Sequence, residues 1–228
     1  MNNLLLPSLK EQSIGFRYTI FTVVFLPPLM GLILSASGVL LPAAHQNFLY
    51  FAINFAVVAL VFRRFLTASL LDAVERWLRI GLVAVIGFVV YTFLSYGLGR
   101  LIALFRPDFG NANDSNIAQL AQDNFLLTAV GTVILVPISE ECMHRGAVFG
   151  MIRRKNRLAA YLISTVLFAV MHIDSFFGLL SGPVLLLSFL QYVPAGLCLA
   201  AAYEISGSIF APVLIHMAVN ALGIFALR

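Results

Sequence analysis

Charge is scarce in this sequence: only 11% of the 228 residues are Asp, Glu, Lys or Arg, where a soluble domain carries about a quarter. A water-soluble fold is excluded, because 14 basic and 10 acidic residues cannot supply the polar skin that a chain of this size needs. Cysteine is nearly absent, and Cys142 and Cys198 both sit in apolar stretches, so neither a disulfide framework nor a CxxC metal site is available. Also missing are a Walker A loop, HExxH, GxSxG, a heptad seam and any internal repeat or low-complexity tract. What fills the chain is apolar: 61% is Ala, Val, Ile, Leu, Met, Phe, Trp, Tyr or Cys, and the mean hydropathy is +0.98. The net charge of +4 does not point to nucleic acid, because the basic residues lie in short clusters between apolar runs, as topology determinants do.

Runs long enough to cross about 30 Å of hydrocarbon fall at 18–42, 47–62, 80–99, 124–152, 158–173, 182–203 and 208–226. The expected fold is therefore all-α: a polytopic membrane helical bundle of about seven transmembrane helices, six or eight on other boundary choices. Pro27 and Pro28 interrupt the first run and the second is short, so a re-entrant or tilted segment is expected there. The first run is longer than a signal-peptide core and reads as a retained span. Lys10, Arg17, Arg63, Arg64, Arg76, Arg79, Arg153, Arg154, Lys155 and Arg157 fall on one side, against Arg100, Arg106 and Arg228 on the other, which places the N-terminus in the cytoplasm of a cell membrane.

The polar linker from Arg106 to Asp123 divides the chain into an N-terminal transmembrane region, 1–123, and a region 124–228 that holds the intramembrane ionisable groups. Asn113-Asp114-Ser115 in that linker is a formal glycosylation sequon and carries no weight. An acid at the centre of a span costs about 2.5 to 3.5 kcal/mol, which makes such groups functional candidates. Here Glu140 and Glu141 stand side by side in the fourth run. At helical spacing Glu141 pairs with Arg145, and Glu140 faces His144 on a neighbouring stripe. Arg145 neutralises one carboxylate well; the other is left to hydrogen bonds, water or protonation, which is how a carboxylate becomes a base.

His172 lies near the end of the fifth run, and His216 and Asn220 share one face of the seventh. With a neutral ring, the His216 N–H and the Asn220 amide are two donors aimed at one point, an oxyanion cradle. At about 1.5 Å per residue from the basic-rich side, Glu140 lies about 20 Å deep, His172 about 21 Å and His216 about 14 Å, so one stratum of the membrane collects them. Blander readings stand beside these. A lone intramembrane histidine usually satisfies a neighbour, and the Glu141–Arg145 pair could serve as a structural clasp. Ser139, Cys142 and the Gly146/Gly150 pair read as helix-packing material, and His45 as incidental.

The ordered triple EECMHR, FAVMH and HMAVN (EExxxR, FxxxH, HxxxN) resembles the three motifs of the CPBP intramembrane proteases, the group of the type II CAAX prenyl endopeptidase and of bacteriocin-processing and immunity proteins. The resemblance covers about residues 124–222. It implies an endopeptidase acting on a membrane-associated, lipidated or hydrophobic peptide, with Glu140 as the general base that activates water and His172 assisting. His216 and Asn220 would form the oxyanion hole, and Glu141 with Arg145 would hold the site. No cofactor is required on this reading, although Glu140, His172 and His216 offer a carboxylate and two imidazoles, a set that zinc could use. The expected partners are membrane lipids and the peptide substrate; no oligomeric state follows from the sequence. Two rivals use the same groups: a non-catalytic immunity or regulatory protein that sequesters a peptide, and an ion-coupled transporter, which the lack of repeats disfavours.

Overall fold

The computed structural model describes residues 4–226; Arg228, used above for orientation, lies outside them. Helices make up the bundle, with no strand among the described residues. Helix α1 (Leu9–Val24) opens on a capping box in which Ser8 and Glu11 satisfy each other's backbone N–H. It meets α2 (Leu26–Ser37) at a bend of 56°. The break falls just before Pro27 and Pro28, which fit the first turn of a new helix but not the middle of a continuous one. The first apolar run is thus broken into two helices, as the expected re-entrant or tilted segment requires.

Helix α3 (Ala43–Val61) follows, then α4 (Arg63–Glu75), a short helix too polar to span, and α5 (Trp77–Phe105), which is long and apolar. The polar linker is itself partly helical: α6 (Ala112–Asp123) is capped by Asn111, whose side chain accepts from the N–H of Asn113. Polar composition showed that this segment does not span, and only local capping gives its conformation.

The other half consists of α7 (Phe125–Arg153), α8 (Arg157–Met171), α9 (Gly182–Ser206) and α10 (Phe210–Phe225). Four helices (α3, α5, α7 and α9) are long and apolar enough to cross a membrane, the α1–α2 pair makes a fifth crossing if counted as one, and α8 and α10 are shorter apolar helices. Together they correspond to the seven expected runs. The protein is an integral membrane protein of all-helical class. Its outer face agrees: Leu82, Val85, Phe93 and Leu104 of α5 are all more than half exposed, a face that only lipid solvates well.

Apolar packing joins the two halves. Val58, Phe62 and Phe65 pack with Met143, Ala147, Phe149, Tyr203 and Ile209 in one buried cluster. A second cluster sets Ile80 and Ala84 of α5 against Phe168, Leu199 and Ile215. Helices α8 and α9 approach closely at Gly196, where a Cβ would stand 2.7 Å from Thr165 Cγ2 and 2.9 Å from its Cα. Only glycine permits that separation, which also leaves the Gly196 carbonyl within reach of Arg145 at 3.2 Å.

Candidate active site

Helix α7 is not uniform. Gly131–Leu135 and Cys142–Phe149 wind as π-helix, bracketing an α-helical turn, Val136–Glu141. Pro137 supplies a reason for the first wide turn, because it has no N–H to donate. The Val136 N–H reaches back to Gly131, and the Thr132 carbonyl, whose i+5 partner would be Pro137, instead accepts from Asn220 Nδ2 at 2.7 Å. The proline that opens the glutamate turn therefore also frees the acceptor that fixes Asn220. Wide turns of this kind recur where a helix carries functional groups.

The two glutamates have different surroundings. Glu141 is fully buried and lies 3.2 Å from Arg145 Nε, within ion-pair range though not aligned as a hydrogen bond. Its other oxygen accepts from His216 Nδ1 at 2.9 Å. Arg145, also fully buried, donates to the Gly196 carbonyl and rests its guanidinium 4.6 Å above the centre of the Phe168 ring. Glu140 has no such escort. Its Oε2 is buried without a hydrogen-bond partner among the described residues and lies 3.9 Å from His172 Nε2. That separation is too long for a direct hydrogen bond and suits two groups sharing one bridging water.

His172 stands at the C-terminal end of α8, where its Nδ1–H donates to the Phe168 carbonyl at 2.8 Å. In the neutral ring this bond fixes the tautomer, so the lone pair of Nε2 is turned toward Glu140. Tyr192 of α9 stacks on the same ring, with centroids 4.2 Å apart and planes 29° apart. His172, His216 and Asn220 also line a cavity of about 50 Å³ whose other walls include Tyr91, Phe168 and Tyr192.

Five of the six expected residues are joined directly, Glu140 with His172 and Glu141 with both Arg145 and His216, and Asn220 meets His172 and His216 on the wall of the cavity. Two details differ from the helical-wheel expectation. His144 does not face Glu140; its Nε2 lies 3.0 Å from Met171 Sδ and its ring meets Phe168 edge-on. His144 is drawn instead to α8, whose Met171 and Phe168 occupy its side of the helix. His216 and Asn220 share a face, yet each has one N–H committed elsewhere, to Glu141 and Thr132 respectively. A neutral imidazole has a single N–H, so with Nδ1–H bound to Glu141 the Nε2 atom can donate only when the ring is protonated.

Ser139 Oγ donates to the Leu135 carbonyl at 2.7 Å and Cys142 lies in the apolar core, as packing residues do. His45 is exposed in the first turn of α3. Among the described residues no group of three or more His, Cys, Asp or Glu is arranged to hold a metal ion. Sequence reasoning missed Tyr192, which sits in no motif, and the link from Pro137 to Asn220. The proline was a readable signal only once its unpaired carbonyl could be located.

A buried carboxylate, an oriented histidine and two further donors around a cavity in a helical bundle are the parts of an intramembrane hydrolase. Residues 122–222 match the family described as type II CAAX prenyl endopeptidase Rce1-like, which shows the resemblance read from the three motifs across the segment that contains all of them. At family level this implies an intramembrane protease. The UPF0177 protein YxdF of Lactococcus lactis is 35% identical over 95 residues, covering 42% of this chain and 47% of that protein, so the chain spans about half the length of this relative. An uncharacterized 24.3 kDa protein of Escherichia coli is 27% identical over 196 residues, covering 82% of this chain and 84% of the other. No solved structure matches.

Proposed function

We propose that this protein is an intramembrane endopeptidase that hydrolyses a peptide bond in a membrane-associated, lipidated or hydrophobic peptide. The observation that carries the proposal is the pair formed by Glu140 Oε2, buried and unpartnered among the described residues, and His172 Nε2, 3.9 Å away beside a cavity. A water held between them donates one O–H to the carboxylate and the other to Nε2, leaving its oxygen lone pair free to attack a carbonyl carbon. Glu140 takes the proton as the C–O bond forms, the role of a general base. It then returns that proton to the departing amine as the C–N bond breaks, giving a carboxylic acid and an amine.

The developing oxyanion is met by the uncommitted N–H of Asn220, and by Nε2–H of His216 when that ring carries both protons. Arg145 offsets the second charge of the carboxylate pair and braces Glu141 from behind. No step is assigned to a metal. The orientation with a cytoplasmic N-terminus in the cell membrane rests on the arrangement of Lys and Arg. The named relatives are bacterial, which favours a leader or signalling peptide over a prenylated tail as the substrate.

The test compares peptides released by membranes carrying wild-type protein with those carrying Glu140→Gln at equal abundance, with and without a chelator. A new peptide terminus generated by wild type alone supports the proposal, and the chelator arm reads metal dependence directly. Identical peptide profiles, together with a cellular phenotype that persists in Glu140→Gln, would replace hydrolysis with peptide sequestration.

A further inference from the structure

His172 has an unusual support problem. It is the C-cap residue just past α8, followed by an irregular stretch that reaches Ser181 and includes Gly178 at a φ of 78°. At about 1.5 Å per residue the 15 residues of α8 rise only about 22 Å, less than the roughly 30 Å hydrocarbon core. Backbone of this kind at membrane depth survives only against protein or water. The side chain at such an end cannot rely on a following helical turn to hold its rotamer, so its position depends on lateral contacts.

Tyr192 supplies the main lateral contact. Its ring stacks on the imidazole at 4.2 Å, while Phe168 meets the same imidazole at 4.6 Å with planes 45° apart. The Tyr192 ring is anchored at its far end: its hydroxyl accepts from Asn113 Nδ2 at 3.1 Å and lies 3.4 Å from Asn111 Oδ1. Asn111 Nδ2 in turn donates to Gln191 Oε1 at 2.7 Å. The polar helix α6 is thereby bolted to α9 immediately above the histidine. The Asn113 side-chain amide, in the first turn of α6, and a tyrosine in an apolar span form one strut that ends on the imidazole.

We propose that Tyr192, held by Asn113, is a positioning residue for His172: it sets the plane of the imidazole so that Nε2 faces Glu140. This rests on the hydrolytic reading of Glu140 and His172, but its first test does not need a substrate. Diethyl pyrocarbonate carbethoxylates imidazole nitrogens, and the rate at each histidine is read by mass spectrometry on the full-length protein in native membranes. His45, exposed in α3, serves as the internal reference, while His144 and His216, both buried, report whether the fold is intact. In Tyr192→Leu the His172 rate relative to His45 should rise at least threefold with His144 and His216 unchanged, and Tyr192→Phe, which keeps the ring and loses the hydroxyl, should fall between. An unchanged His172 rate in Tyr192→Leu overturns the proposal. If His144 and His216 also become reactive the variant has lost its fold, and Tyr192→Met decides under the same criterion, because it fills similar space without a ring face.

Turnover supplies the second readout, on a peptide whose release Glu140→Gln abolishes. Tyr192→Leu should lower kcat about tenfold with KM changed less than twofold, and it should have no further effect in a His172→Ala background. A loss that persists undiminished in that background assigns Tyr192 a packing role and overturns the proposal. If Glu140→Gln leaves release intact, the hydrolytic reading itself fails and this proposal falls with it; if Glu140→Gln abolishes release while Tyr192→Leu is silent, only the role of Tyr192 fails.

Discussion

Two carboxylate clusters in this protein are built from similar parts and end in opposite states. At the basic-rich ends of the helices, Glu204 of α9 receives Arg153, Arg157 Nε at 2.9 Å and the Tyr161 hydroxyl at 2.8 Å, so both oxygens are engaged. Deeper in the bundle, Glu140 and Glu141 share one arginine, and Glu140 Oε2, His144 Nδ1 and Arg145 Nη1 are left without hydrogen-bond partners among the described residues. A buried polar group without a partner costs about 1–3 kcal/mol, more when charged. The fold meets every need of Glu204 and leaves Glu140 Oε2 open, 3.9 Å from a histidine that lines the cavity. The satisfied cluster is a clasp between α7, α8 and α9; the unsatisfied one is the candidate site.

Substitutions can break this contrast, and the largest effect is expected at Glu140. Glu140→Gln keeps the shape of the side chain and removes the base, so peptide release from membranes should fall by about 10²–10⁴-fold with abundance and thermal stability unchanged. If stability falls in step with activity, Glu140 belongs with Glu204 as a structural group. Next comes Glu141→Ala, which strips the buried Arg145 of its counter-charge and His216 of its acceptor. It should destabilise the protein by roughly 3–5 kcal/mol, read as a lower unfolding temperature in detergent.

Asn220→Ala removes one oxyanion donor and should lower kcat by about 10²-fold, with a smaller stability loss as the Thr132 carbonyl loses its partner. Glu204→Gln should cost roughly 1–3 kcal/mol, seen as reduced thermal stability, while turnover per folded molecule stays near wild type. A drop in turnover at intact stability would join the clasp functionally to the site. The smallest effect is expected at Ser139 and Cys142, where alanine should change turnover less than twofold, because Ser139 donates to a backbone carbonyl and Cys142 faces the apolar core.

Most of the fold was legible because its cause is written locally. Apolar run length specifies a spanning helix, and Pro27 with Pro28 marked the break in the first span. The candidate site residues were legible for a related reason: an ionisable group in an apolar run stands out, and three such groups at matching depth imply a meeting place. Their mutual geometry was less so. The helical wheel paired Glu141 with Arg145 correctly but misplaced His144, although Arg145 and His144 both lie in the π-helical winding; Met171 and Phe168 of α8 engage the His144 ring, and no single-helix wheel contains those contacts.

By itself, then, the sequence determined the class of the protein, the number and order of its apolar helices, and the six polar residues to watch, since composition and periodicity act over a single turn or span. Tertiary structure decided that Glu140 meets His172, that His216 answers to Glu141 and Asn220 to the carbonyl freed by Pro137, and that Tyr192 stacks on His172. Those outcomes depend on contacts between residues about 20 to 90 positions apart, and such contacts are fixed by how the helices pack rather than by any one helix.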